Sequence, residues 1–175
     1  ALASYRFDRL ESKADPYFAG LEDREQSVDG GIAIGFKGDW GLLQTSWLGD
    51  LMDNHNGEEW QISYRYGWKA GRWSLSSFVS YIYQDSDLIN YYYGIDESEA
   101  RSDRPAYRAG PAGFWRAGIN TSYQWSKYLS VFANIAFQNV DNEINNSPLV
   151  DENQLNAAML GFAYMFGNVV NDSTK

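Results

Sequence analysis

Cysteine is absent from this chain, so neither a disulfide framework nor a thiolate metal site can form. Basic residues are scarce: 14 Lys and Arg stand against 23 Asp and Glu, a net charge of −9. That balance disfavours a nucleic-acid binder, because counterion release needs clustered Lys and Arg. No apolar run approaches the roughly 18–20 residues a spanning helix needs, and mean hydropathy is only −0.49. Helical membrane insertion is thereby excluded. The sequence opens at Ala1 without an initiator Met, a basic region or an apolar signal core. Any export signal has been removed or lies outside it, which is no argument against secretion.

What is abundant is aromatic: 13 Tyr, 9 Phe and 7 Trp make 17% of 175 residues. Tyr and Trp are the amphipathic rings that membrane interfaces collect. Helical spacing is nearly missing, and strict alternation over ten to twelve residues takes its place. In Glu59–Lys69 one face carries Trp60, Ile62, Tyr64, Tyr66 and Trp68, and the other Glu59, Gln61, Ser63, Arg65, Gly67 and Lys69. Phe114–Trp125 repeats the pattern, with Trp115, Ala117, Ile119, Thr121, Tyr123 and Trp125 opposite Arg116, Gly118, Asn120, Ser122 and Gln124. Aromatics close both ends of each apolar face, as in a barrel strand that meets lipid with a girdle at each interface.

Six further segments alternate less cleanly: Ala1–Leu10, Val28–Lys37, Trp40–Gly49, Arg72–Tyr83, Tyr128–Gln138 and Leu155–Phe166. The expectation is an all-β chain, a transmembrane up-and-down antiparallel β-barrel with eight strands in this sequence. Residues 1–166 form a single barrel domain in this reading, and 167–175 a polar C-terminal tail. Gly38-Asp39, Ala70-Gly71 and Ser126-Lys127 are tight turns, whereas residues 11–27, 50–58, 84–112 and 139–154 are long and polar. Short periplasmic turns alternating with long outer loops produce that order, and a Greek key has no reason to. The location that follows is the bacterial outer membrane, with its lipids and lipopolysaccharide as surroundings. A soluble barrel of lipocalin type is the competing architecture. It requires the aromatics inside, and leaves Arg6, Glu59, Arg65 and Arg116 outside opposite girdle-placed Trp. In the membrane reading the residues pointing into the lumen are Arg6, Glu59, Arg65, Arg116, Asn120, Gln124 and Asn134.

Eighteen of the acidic residues fall in the four long loops and read as a solvated outer rim; bridging to lipopolysaccharide phosphates by divalent cations, or attraction of cationic solutes into the mouth, is the sharper alternative. No complete calcium loop is present. His55, the only histidine, lies in a turn-rich stretch and reads as an exposed turn residue. Without a Ser–His constellation or a phosphate cradle, no catalytic, cofactor or metal role is assigned and an enzyme is not expected.

One loop carries a more specific signature: Asn90-Tyr91-Tyr92-Tyr93-Gly94-Ile95, Glu99-Ala100-Arg101-Ser102, then Arg104-Pro105-Ala106-Tyr107-Arg108-Ala109-Gly110. With Ala19-Gly20-Leu21-Glu22-Asp23-Arg24 upstream, it resembles the MipA/OmpV family of outer-membrane proteins, the MltA-interacting proteins. Tyr91, Tyr92, Tyr93, Gly94, Pro105, Ala106, Tyr107 and Gly110 carry that likeness. The last strand, with Phe162, Tyr164 and Phe166 alternating, is similar to the C-terminal signature read by the barrel-assembly machinery. The resemblance implies a non-enzymatic scaffold or anchor linking a lytic transglycosylase to a peptidoglycan synthase; the alternative is a narrow porin-like channel or a stress- or antibiotic-response protein. Family members are longer at the N-terminus, so the eight strands are expected to belong to a barrel of 10 or 12 if strands precede Ala1.

Overall fold

A computed structural model describes residues 1–6, 10–13, 15–150 and 154–166. Eight strands form one sheet in sequence order: β1 (Leu2–Arg6), β2 (Ser27–Gly38), β3 (Gly41–Asp50), β4 (Glu58–Ala70), β5 (Trp73–Gln84), β6 (Ala112–Gln124), β7 (Leu129–Asn139) and β8 (Gln154–Tyr164). Every neighbouring pair is antiparallel. This is the up-and-down order that the alternating loop lengths predict. Strands of 10–13 residues, tilted as barrel strands are, cross an apolar band of about 25 Å. No helix among the described residues is long and apolar enough to cross a membrane.

The sheet is not closed. β1 and β8 form its edges and do not pair with each other among the described residues. β1 covers only Ser27–Gly31 of its neighbour. The expected first strand extended to Leu10; instead Leu10 makes an isolated bridge to Arg24, and residues 7–9 lie outside the described set.

Three hairpin turns occupy one end. Gly41 (φ +119°) and Gly71 (φ +57°) adopt left-handed backbone there that a side chain would strain. At the other end the four long connections carry a 3₁₀ turn (Pro16–Phe18), α1 (Ser86–Tyr93) and α2 (Asn142–Asn145). Asp85 caps α1 by accepting from Leu88 N at 3.0 Å, and Asp141 caps α2 by accepting from Glu143 N at 3.0 Å.

The sheet's two faces differ in kind. The convex face exposes Ile32, Ile34, Phe36, Trp60, Ile62, Trp68, Trp115, Ile135 and Phe137. Tyr64 and Ile119, which a soluble barrel would pack inside, are 37% and 50% exposed. The concave face is polar, and its residues from β1 through β8 line shared cavities. The buried apolar cluster lies among the long loops instead: Ile89, Ala109, Ala112 and Ile144, with Tyr93, Tyr107, Val140 and Val150 against it. Apolar surface that lipid solvates needs no protein partner, whereas loops in water must bury theirs.

Candidate functional site: the roofed lumen

The long loops meet over the concave face. Asn90 of α1 donates from Nδ2 to Ala109 O at 2.7 Å and accepts from Ala109 N at 2.9 Å. Tyr107 donates to Glu143 O at 2.9 Å, and Gly110 N donates to Glu143 Oε2 at 2.6 Å. Ser147 donates to Tyr93 O at 2.7 Å. The first and last long loops join where Tyr17 donates to Pro148 O at 3.0 Å. Tyr93, Ile144, Leu149 and Val150 line one cavity of about 1010 Å³ with Arg6, Glu59, Arg116 and Gln138. The loops thus roof one end of the concave face.

Two buried ionic knots hold that roof. In the first, Glu99 accepts from Glu22 N (2.6 Å) and Asp96 N (3.0 Å) and pairs with Arg24 (3.4 Å). Burial pushes the Glu99 carboxyl up, but those two N–H donors and the guanidinium outweigh it and hold its pKa below the usual carboxylate range. Arg104, with no exposed surface, donates to Tyr17 O, to Ala19 O at 3.3 Å and to Glu99 O at 2.8 Å. These bonds join residues 17–24 to residues 94–104.

In the second knot Arg6 donates to Asp29 (2.5 Å) and Glu59 (3.0 Å), and Gln84 donates to Glu59 at 2.7 Å. His55 closes it. Its Nδ1 accepts from Gly57 N at 3.0 Å, so Nε2 carries the proton and donates to Asp29 Oδ1 at 3.0 Å. Asp50 accepts from Met52 N, His55 N and Asn56 N at 2.7–3.0 Å and from Ser27 Oγ at 2.9 Å. The expectation of an exposed His55 is overturned: the residue is 4% exposed, packed near Tyr91 and Tyr92. Asp29, Asp50 and His55 place donor atoms within 4.8 Å of one another, a spacing a metal could use. Each carboxylate is already engaged by Arg6, His55, backbone N–H or Ser27, so the group reads as a hydrogen-bonded knot.

The predicted lumenal residues separate by environment. Arg116 donates twice to Gln138 Oε1, at 2.8 and 2.6 Å. Asn134 donates to Asn120 Oδ1. Gln124 braces its own turn, donating to Ser126 O at 2.6 Å and accepting from Ser130 Oγ at 2.9 Å. Arg65 has no carboxylate within 4 Å among the described residues, unlike Arg6. On the convex face of β8, Phe162 and Tyr164 stand opposite Val131 and Leu129, and the exposed Phe166 packs edge-on to Tyr164.

The signature loop builds the roof. Tyr91 accepts from Glu25 N at 2.9 Å and lies 5.9 Å beneath Arg24; Tyr92 packs edge-on against it. Gly94 ends α1, where a Cβ would meet Asn90 O at 2.5 Å. Tyr107 bridges Ile95, while Pro105 and Ala106 remain exposed. The two motif stretches, residues 19–24 and 90–110, are one structural unit. A sequence profile described as "MltA-interacting protein MipA" matches residues 1–166. The chain belongs to the MipA family. Among relatives, the putative outer membrane protein YiaT of Escherichia coli K12 is 29% identical over 147 residues, covering 83% of this chain and 60% of that protein. The MltA-interacting protein of the same strain is 24% identical over 159 residues (90% and 64%), and the outer membrane protein OmpV of Vibrio cholerae 27% over 132 residues (75% and 51%). This chain therefore spans about half to two thirds of the length of those MipA relatives. No solved structure matches it significantly. As a MipA-family chain with an up-and-down strand order, it is an outer-membrane protein.

Four residues that hold the roof, Asp29, His55, Glu99 and Arg104, were not expected as site residues. The only sequence signal for Glu99 and Arg104 is their place inside the family motif. Asp29 and His55 carry none, because their partners come from separate strands and loops.

Proposed function

We propose that this protein is a non-enzymatic outer-membrane scaffold that links a lytic transglycosylase to a peptidoglycan synthase at the cell envelope. The observation that carries the reading is the family match over residues 1–166, with one relative named an MltA-interacting protein. Short turns of such barrels face the periplasm, where murein enzymes work. Among the described residues the turn end carries Lys37, Arg65, Lys69, Arg72 and Lys127 against the single acid Asp39, a surface suited to acidic partners. The relevant test is a pull-down from detergent-solubilised outer membranes with the tagged protein. Recovery of a murein hydrolase and a synthase is the expected result; recovery of neither sinks the reading.

A second reading, a narrow channel, draws support from the polar concave face and its two cavities. The roof and the Arg6–Asp29–Glu59 knot lie across that route, so small or no conductance is expected. Large, stable single-channel steps in planar bilayers would reverse the order of the two.

A further inference from the structure

We infer that the turn-side half of the lumen is a binding site for a compact, multiply charged anion bearing phosphate or carboxylate groups. The two ends of the concave face pair their cations differently, although Arg116 at the roofed end also meets only the Gln138 amide oxygen. At the roofed end Arg6 is neutralised by Asp29 and Glu59. At the turn end Lys37, Arg65 and Lys69 line one cavity of about 780 Å³, and no carboxylate lies within 4 Å of any of them among the described residues. Among the described residues Asp39 is the only acid along that cavity.

Strand register brings the three cations together. Lys37 and Arg65 share a row across the sheet with only Leu42 between them, so their Cα atoms are about 10 Å apart. Lys69 follows Arg65 by four residues on the same face, about 13 Å along the strand. All three side chains border the same cavity. Across the cavity Asn134 donates to Asn120 Oδ1, which leaves the Asn120 amide NH₂ as a donor beside the Ser122 hydroxyl. Three solvent-exposed cations and an amide donor bordering one open cavity concentrate positive potential there, in a chain whose net charge is −9. An anion with several charges engages more than one of these cations at once. A single charge would satisfy one of the three.

The test uses the full chain folded in uncharged maltoside micelles, with sodium tripolyphosphate as probe in isothermal titration. Saturable binding at one per chain is expected, weakening as salt rises. The K37Q/R65Q/K69Q variant should bind at least tenfold more weakly, and each single variant about threefold. R72Q/K127Q removes two charges of the same rim that do not line the cavity, and should stay within twofold of wild type. Heat-modifiable mobility in gels verifies folding, and the single variants decide the matter if the triple variant fails to fold. Undiminished binding in the folded variants, or equal weakening by R72Q/K127Q, overturns the assignment. So does binding to phosphatidylglycerol vesicles with none to tripolyphosphate, because a lipid headgroup source would then be the only one. No partner protein enters the titration, so a failed pull-down leaves this result untouched.

Discussion

Placing an arginine on each face of the barrel measures what surrounds it. Ile119 is half exposed on the convex face, beside Ile135, and stands four residues from both Trp115 and Tyr123. At barrel-strand rise and tilt that is about 10 Å from each aromatic belt, near the midplane of the apolar band. Ile119→Arg should therefore cost about 2–4 kcal/mol, a drop of roughly 30- to 1000-fold in the folding equilibrium. Ser63, between Gln44 and Ser80 on the concave face, is the control at mid-strand. There the guanidinium reaches water, and Ser63→Arg should cost less than about 1 kcal/mol. The assay is urea unfolding in phosphatidylcholine vesicles followed by tryptophan fluorescence, with midpoints compared at constant slope. Equal costs at the two positions, or a larger one at Ser63, would refute the assignment of lipid to the convex face.

Three further outcomes follow from the roof and the sheet. Because the folded pKa of Glu99 is depressed, its contribution is full above the unfolded carboxylate value and is lost as pH falls below the ordinary carboxylate range and through the folded value. Hydrogen exchange across residues 94–104 should accelerate there beyond the intrinsic rate, and Glu99→Gln should show the loosened roof at neutral pH; unchanged protection in that variant would contradict the account. His55→Ala removes a buried donor to Asp29 and an acceptor for Gly57 N, so thermal stability should fall by about 1–3 kcal/mol; a neutral effect would return His55 to an ordinary turn residue. A Cβ at Gly31 would lie 1.8 Å from Trp47 O, so Gly31→Ala should force β2 from β3 and abolish heat-modifiable folding; a variant that folds normally would show that the two strands can spread.

The strands were legible because period two is a local signal that each segment carries alone. The Glu59–Lys69 alternation became β4 with its ends one residue away, and all three tight turns fell where glycine or polar pairs stood. The roof was not legible in the same way. Loop acids read as solvated, yet Glu99 is buried, because its partners Glu22 and Arg24 lie 77 and 75 residues away. His55 looked exposed among Asn and Asp, yet it is buried against Asp29, 26 residues upstream on β2. No periodicity encodes such encounters, which depend on strands first bringing the loop ends to one rim. The signature motif flagged residues 90–110 as special without saying that their work is packing.

The separation of roof from sheet also dictates an order of events during biogenesis. Each strand of the sheet pairs only with its neighbour in sequence, so hairpins can zip up one after another with little loop closure. The roof obeys a different rule, since its Tyr17–Pro148 bond spans 131 residues and cannot form until every intervening strand has crossed. Ile89 and Ile144, which share one buried cluster, cannot cover each other until α1 and α2 are brought together. Roof closure is thus a late checkpoint: a chain halted partway would have a correct sheet and sticky loops. Loop substitutions that leave every strand intact should then surface as slow maturation and recognition by envelope proteases, well before any loss of the finished barrel.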